Sequence, residues 1–186
     1  MHPPKEIIDT EMALIHISVI LVAVTAVLYQ LEVSFDPLVA SGTVILMRNR
    51  EDSFKYAANV PHYHKWTLMV SSAEEVSTSH MKAGKTFHLY SDIPLLGRQE
   101  IPTKVVVYKP YHRLDIQTHL HLLEMRISMN FTDTHKDDVP FTKLDCAIHA
   151  RRRSYLYYST LLQVLRFVMK SQLKGSLLNM KLLLQT

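Results

Sequence analysis

Cysteine is almost absent from this chain of 186 residues, which contains only Cys146. A single cysteine excludes an intrachain disulfide framework and every metal site built from several thiolates. Glycine is also scarce, with four residues, and the sequence contains no glycine-rich loop of the kind that cradles phosphate. No Ser-His-Asp order or carboxylate pair has a context that indicates an active site. The sequence therefore predicts no catalytic residues, no cofactor and no metal.

A concentrated basic stripe is missing as well. The formal net charge is +4, and lysine and arginine are scattered except at residues 151–153. Proteins that bind nucleic acid usually gather their basic residues on one face. We therefore predict no nucleic-acid partner.

Acidic and basic residues are both missing from residues 12–31, the longest apolar stretch of the chain. A helix of that length spans about 30 Å, the thickness of a bilayer core. We interpret residues 1–11 as a polar N-terminal tail, residues 12–31 as a single-pass membrane anchor and residues 32–38 as a linker. Lys5 on one side and Arg48 and Arg50 on the other favour a cytoplasmic location for the C-terminal domain.

Two alternatives to the anchor stay open. A cleavable signal peptide fits the small residues at 24–26, although the preceding residues carry more acidic than basic side chains, which is the wrong sign for such a peptide. A core or surface helix is the other alternative, although the apolar residues encircle the helix instead of forming a stripe.

Alternating apolar and polar residues dominate the region after the linker. The stretch LEMRISMNF, residues 123–131, places its apolar side chains on one face and its polar side chains on the other, as a half-buried strand does. Six further segments have strand character, and the short connections between them predict an antiparallel meander. Before it, residues 50–66 predict two short helices that are split at Pro61.

The last segment changes to a helical period. Its apolar residues recur every three or four positions, while Lys170, Lys174 and Lys181 stay off that stripe, which predicts a long amphipathic helix. An apolar sheet face and an apolar helix face must bury each other. We therefore predict one α+β domain over residues 39–186. The stripe consists of Leu162, Leu165, Met169, Leu173, Leu177, Met180 and Leu184.

This order of elements resembles the START-like, or SRPBCC, superfamily. The stretch ILMRNREDSFKYAANVPHYHKW is similar to the opening of that family, with an aromatic at Phe54 and a helix that ends at Trp66. VVVYKPYHRLDI is similar to its central hairpin, and LLQVLRFVMKSQLKGSLLNMKLLLQ to its closing helix. The resemblance covers residues 39–186 and omits residues 1–37.

The resemblance implies a helix-grip fold, in which a seven-stranded antiparallel sheet surrounds the C-terminal helix and leaves an apolar cavity. Its members carry or sense hydrophobic ligands such as sterols, phospholipids, quinones or polyketides, and only some are enzymes. Strand parity and helical spacing predict which side chains point inward and would contact such a ligand. These are Val105, Val107, Leu114, Ile116, Met125, Ile127, Met129, Leu144, Cys146, Ile148, Leu162, Leu165 and Met169.

The leading hypothesis is therefore membrane-anchored binding or transfer of a hydrophobic ligand, a lipid or another apolar small molecule. The alternative is a polyketide cyclase or aromatase-like enzyme that uses the same cavity, and it ranks second because the strand parity places almost no acid or base inside. A third hypothesis is a non-enzymatic partner of a membrane complex, for which a filled core would be the sign.

A few remaining residues invite a chemical role. His119 and His121 have the spacing of two zinc ligands on one strand, but their polar surroundings favour a surface position. Arg152 has inward parity if its strand continues, and otherwise belongs to a solvated or membrane-facing edge. Cys146 is expected to be an inert core thiol. The apolar loop at residues 93–96 is either a lid that dips towards a bilayer or a segment packed against the closing helix.

Overall fold

A seven-stranded antiparallel sheet forms the centre of the molecule. The computed structural model describes residues 5–76, 78–93, 97–120, 124–136 and 139–185. The strands follow the spatial order β1-β7-β6-β5-β4-β3-β2, so that the first and last strands of the chain are neighbours. Their bounds are Leu38–Leu46 (β1), Ser72–Glu75 (β2), Thr86–Ile93 (β3), Gly97–Lys109 (β4), Arg113–Thr118 (β5), Met125–Lys136 (β6) and Val139–Ala150 (β7).

The helices confirm the predicted α+β class. A long N-terminal helix, Lys5–Gln30 (α1), precedes the sheet, and Arg50–Ala58 (α2), a 3-10 turn at Val60–His62 and Tyr63–Trp66 (α3) follow β1. Tyr155–Ser159 (α4), which the sequence did not predict, leads into the long closing helix Leu161–Gln185 (α5). The elements after β1 therefore bridge from one edge of the sheet to β2 at the other edge.

Local chemistry sets the limits of α2. The side chain of Asn49 accepts a hydrogen bond from the backbone N–H of Asp52 at 2.8 Å, which caps the first turn, and Glu51 and Asp52 lie where the helix dipole favours acidic groups. Pro61 lies inside the 3-10 turn, and its ring prevents α2 from continuing.

The closing helix packs closely against β1 at one glycine. A side chain at Gly42 would bring its Cβ within 2.8 Å of Leu177 Cδ1. Leu173, Leu177 and Met180 of α5 are buried there together with Leu144 and Ile148 of the sheet. The stripe that the sequence predicted for α5 therefore faces the core.

The segment between α1 and β1 is bound to the chain that follows β7. We call residues 31–37 the junction segment. Asp36 forms ion pairs with Arg151 and, at 3.0 Å, with Arg153, and the backbone N–H of Val33 donates to the carbonyl of Arg153 at 2.7 Å. Tyr155 N–H donates to the carbonyl of Leu31 at 2.7 Å. Val33 and Asp36 of the predicted linker, together with Leu31 from the end of the predicted anchor, thus attach α1 to the domain through several polar contacts.

The α1 helix contains a stretch, Met12–Gln30, that is long and apolar enough to cross a membrane, and none of it is buried by the rest of the chain. A signal sequence near an N-terminus has the same length and composition. The membrane anchor and the signal peptide therefore both stay open, whereas a helix stretch with no buried part is not a core helix.

Candidate ligand-binding site

The central strands and α5 bring most of the predicted ligand-binding residues into one core. Nine of the thirteen are buried, and three others pack against them with partial exposure. The buried ones are Val105, Leu114, Ile116, Met125, Met129, Leu144, Cys146, Ile148 and Leu162, and the partly buried ones are Ile127, Leu165 and Met169.

Val107 departs from this arrangement because β4 changes register. Val105 lies opposite Ile116, but Val107 lies opposite Asp115 and Tyr108 lies opposite Leu114. This irregularity inserts one residue, and an inserted residue exchanges the faces of all residues beyond it. Tyr108 therefore takes the inward position that strand parity assigned to Val107. The prediction that Val107 contacts the interior was wrong.

Two polar groups enclosed beneath α5 have no hydrogen-bond partner in the described part of the chain. The Tyr63 hydroxyl and the Trp66 indole N–H are buried, and neither has a hydrogen-bond partner among the described residues. Burial raises the pKa of the Tyr63 phenol and so keeps it a neutral donor. An unpaired buried donor costs about 1–3 kcal/mol. These two groups therefore favour a hydrogen-bond acceptor enclosed near α3.

Cys146 lies near Tyr63 on the buried face of β7. Burial raises the pKa of its thiol to about 12, so the thiol stays protonated at neutral pH. Because the thiolate is the nucleophilic form, Cys146 is chemically inert, as the sequence predicted.

A cavity of about 310 Å³ opens at one end of the domain. It lies between α2 with its following turn, the chain from β2 to the start of β3, and the hairpin that joins β4 to β5. The predicted thirteen residues do not line it. The residues that do are Phe54, Lys55, Ala58, Asn59, Pro61, Glu75, Met81, Lys85, Tyr108 and Tyr111.

A buried lysine forms the polar side of this cavity. The Lys85 side chain is only 6% exposed, and its Nζ lies 3.2 Å from Glu75 Oε2 and donates to the carbonyl of Ser79 at 2.6 Å. Gly84, with a φ of +93°, makes the turn before it. The backbone groups of Gly84 and Lys85 then pair with Val105 next to the irregularity in β4. Lysines are rarely buried unless they are paired, and here Glu75 and the Ser79 carbonyl supply the partners.

Three clustered aromatic rings also line the cavity. The Phe54 ring centre lies 5.6 Å from that of Tyr108 and 5.9 Å from that of Tyr111. Tyr111 has a φ of +63°, a left-handed conformation that costs a non-glycine residue about 1–2 kcal/mol. Such strain persists only where surrounding contacts impose it, and it is frequent at ligand sites. The cavity thus pairs an aromatic wall with a buried ammonium group.

A second cavity of about 380 Å³ shares Lys55 and Asn59 with the first. Arg48, Asp52 and Leu184 also line it, at the surface between α2 and the end of α5. The two openings border each other along α2.

The other residues singled out by sequence lie apart from this site. His119 is exposed and its Nδ1 lies 3.6 Å from Glu124 Oε1, while His121 lies outside the described residues, as does the centre of the apolar loop at residues 94–96. The described residues contain no group of three or more potential metal ligands. β7 ends at Ala150, so Arg152 does not continue the strand; its guanidinium donates to the Tyr29 hydroxyl at 2.7 Å.

The polar half of the cavity was not predicted from the sequence. Lys85 and Glu75 were assigned to no site, and Tyr108 was turned outward by strand parity. A glycine followed by a lysine in a turn, and a tyrosine that follows Pro110, were the available signals. Neither is specific without the fold, because their proximity depends on residues distant in sequence.

No protein-family model and no curated protein matches the chain, but solved structures do. The protein of unknown function SA2116 from Staphylococcus aureus has a TM-score of 0.58 at 9% identity, covering 78% of this chain and 93% of its own. The di-domain ARO/CYC StfQ from the steffimycin biosynthetic pathway gives 0.55 at 14% identity, with 78% of this chain and 50% of StfQ covered.

Ara h 8.0201 is a third similar structure, with a TM-score of 0.53 at 13% identity over 78% of this chain and 95% of its own. Likeness at these identities shows the fold alone. The seven-stranded antiparallel sheet with its long C-terminal helix has the helix-grip fold.

Proposed function

We propose that this chain binds a hydrophobic ligand and belongs to the START-like superfamily. The observation that carries the proposal is the cavity of about 310 Å³, which is lined by the aromatic rings of Phe54, Tyr108 and Tyr111 and by the buried Lys85. Small-molecule sites of this size are usually mostly apolar, with a few polar groups that orient the ligand. The similarity in fold to StfQ and Ara h 8.0201 supports it.

The lining residues favour a particular class of ligand. Aromatic rings favour a flat or ring-containing apolar body, and an ammonium group favours an anionic or strongly accepting oxygen at one end. A lipid, sterol, quinone or polyketide-like molecule with such an oxygen meets both conditions. Lys85 would pair with that oxygen in place of, or together with, Glu75.

The first experiment identifies the ligand and its position. The full chain is purified in mild detergent and extracted with organic solvent, and mass spectrometry measures the bound small molecules. We expect a stoichiometric apolar compound, strongly reduced in Met81→Trp, which fills the cavity, and in Lys85→Met. Lys104→Met, a matched change at an exposed lysine of β4, should leave it unchanged. A ligand-free chain that also takes up no lipid from vesicles would contradict the proposal.

The interior residues need a separate test. The ligand-binding role of the twelve inward residues remains a prediction, because they pack against one another and line neither cavity. Met169→Trp enlarges a partly buried side chain on α5. It should lower ligand occupancy if the ligand extends beneath α5 towards Tyr63, and leave occupancy intact if the ligand stays in the outer cavity.

A cyclase or aromatase-like activity is the second candidate. Two tyrosines and the Lys85–Glu75 pair in one cavity are groups that can donate or accept protons at a bound substrate. Similarity in fold to ARO/CYC proteins supports this candidate. An enzyme would lose turnover in Lys85→Met or Tyr111→Phe while it keeps substrate binding, whereas a carrier has no turnover to lose.

Membrane anchoring through α1 completes the proposal, with the domain on the cytoplasmic side. Because a tether raises the effective concentration at the bilayer, a carrier of insoluble molecules gains from it. The intact mass of the mature protein distinguishes an anchor from a signal peptide, since cleavage removes most of α1. Protease accessibility of the domain in sealed vesicles tests its sidedness.

A further inference from the structure

The closing helix has a second apolar face, opposite to the face that packs on the core. Five large side chains along its outer side are exposed, and Phe167 is the extreme case at 84%. Their successive spacings of three, one, ten and four residues keep them on one side at 100° per residue. They extend over most of the helix length. We call Val164, Phe167, Val168, Leu178 and Leu182 the outer face of α5.

Positive charge borders this outer face. At 100° per residue, Lys170, Lys174 and Lys181 fall in one row along its edge. The sequence of α5 contains Arg166 in addition and no acidic residue. An apolar face bordered by lysines is typical of helices that lie in the plane of a membrane surface and attract anionic lipids.

The start of α5 is connected to the end of α1. Phe35 of the junction segment packs edge-on against Tyr158 of α4 at 6.2 Å, and the Arg166 guanidinium lies 5.6 Å over the same tyrosine ring. Arg166 also donates to the carbonyl of Leu38 at 3.0 Å. Because α4 leads directly into α5, these contacts keep the first turns of α5 beside the point where α1 ends.

We propose that the outer face of α5 lies on the surface of the bilayer that holds α1 and prefers anionic lipids there. This inference rests on the proposed anchoring by α1. The occupant is a lipid surface because the lysine row complements anionic headgroups, and because α4 and the junction segment bring the helix next to the apolar span. The domain would then be held at the membrane by two elements, one that crosses it and one that lies on it.

Fluorophore labelling at single cysteines tests the inference in the full chain. The native Cys146 is buried, so a new surface cysteine is labelled selectively. Phe167→Cys and Leu182→Cys report on the outer face, and Ile45→Cys, an exposed apolar position on β1, is the matched control. Each variant carries the environment-sensitive dye NBD in phosphatidylcholine vesicles with or without phosphatidylserine. Brominated lipids quench a dye that reaches the acyl chains.

We expect a blue shift and quenching at residues 167 and 182 and neither at residue 45. Phosphatidylserine should increase the quenching, and the triple change of Lys170, Lys174 and Lys181 to glutamine should remove that increase. Dyes on the outer face that stay in water overturn the inference. Dye-to-dye quenching that depends on protein concentration, without quenching by brominated lipid, also overturns it and indicates a second copy of the chain.

The same vesicle samples distinguish a failure of this inference from a failure of the proposed anchor. If the chain floats with the vesicles while the dye at residue 167 stays in water, the anchor is supported and membrane contact by the outer face of α5 is contradicted. If alkaline carbonate extracts the chain, but the dye at residue 167 was quenched before extraction, the anchor is contradicted and membrane contact by the outer face of α5 is supported. A chain that neither floats nor is quenched rejects both.

Discussion

Asp115 of β5 binds Arg113 of the same strand and Arg126 of the neighbouring β6 on the outer side of the sheet. Its carboxylate is fully buried, and it accepts hydrogen bonds from Arg113 at 2.7 Å and from Arg126 at 3.0 Å. Burial alone would raise the pKa of this carboxyl, but the two guanidinium groups outweigh it and hold the pKa below its ordinary value. The triad joins β5 to β6 at the centre of the sheet.

Asp115→Asn should therefore reduce the free energy of unfolding by about 2–3 kcal/mol, because it removes charge-assisted hydrogen bonds in a buried position. Chemical denaturation in mild detergent, followed by circular dichroism, measures the loss. Asp145→Asn is the control, since Asp145 pairs with Lys143 at the exposed surface, and we expect a loss below about 1 kcal/mol. Equal losses in both variants would show that the burial of Asp115 is unimportant.

The pH dependence of the same residue has a definite sign. A carboxyl whose pKa is lower in the folded state contributes stability above its unfolded pKa of about 3.9 and loses it as the pH falls further. The difference in unfolding free energy between the natural chain and Asp115→Asn should stay constant from pH 7 to about pH 5 and shrink below about pH 4. A difference that grows on acidification would contradict the depressed pKa of Asp115.

At the scale of elements, the contact between α5 and β1 depends on a missing side chain. Gly42→Val would place a branched side chain where Leu177 Cδ1 lies 2.8 Å from the Cβ position. We expect a loss of about 1–3 kcal/mol from overpacking, and a smaller loss in Gly42→Ala. Chemical denaturation of each variant measures these losses.

A double variant checks the cause of that loss. Leu177→Ala alone removes a buried side chain and destabilises the chain, but it also makes room for a side chain at residue 42. Gly42→Val combined with Leu177→Ala should therefore be more stable than the sum of the two single losses predicts. Strict additivity would show that Gly42 matters for another reason than the approach of α5.

For the whole molecule, the junction segment decides how firmly α1 is joined to the domain. Asp36→Asn removes the ion pairs with Arg151 and Arg153 while the sheet is untouched. Hydrogen exchange should become faster at the amides of Val33 and Tyr155, which bridge the two segments, and stay unchanged in β5 and β6. Asp133→Asn, which breaks the distant pair with Arg50, should leave those two amides unchanged.

If the junction amides exchange at the same rate in Asp36→Asn as in the natural chain, the ion pairs do not stabilise the junction. The backbone pairing of residues 31–37 would then be sufficient alone. Loss of protection throughout the sheet would instead show that the junction segment is part of the cooperative core.

Local patterns in the sequence determined the fold class and the main faces. Strict alternation in β5, β6 and β7 placed Leu114, Met129 and Ile148 inside, because a strand turns successive side chains to opposite faces. The helical period of residues 162–184 identified the buried side of α5 for the equivalent reason. The composition of residues 12–31 alone indicated an apolar helix, which the structure confirms as α1.

Tertiary structure alone decided the site. The register change in β4 places Val107 on the outer face and Tyr108 on the inner face. The sequence of β4 gives no periodic signal for this inserted residue, because the insertion depends on how β4 pairs with β5. The cavity unites Phe54, Lys85 and Tyr111, which come from three separate parts of the chain and meet only when the sheet is assembled. The periodicity of a segment predicts which of its faces packs against the core. Long-range packing sets the position of one segment against another, and no single segment predicts it.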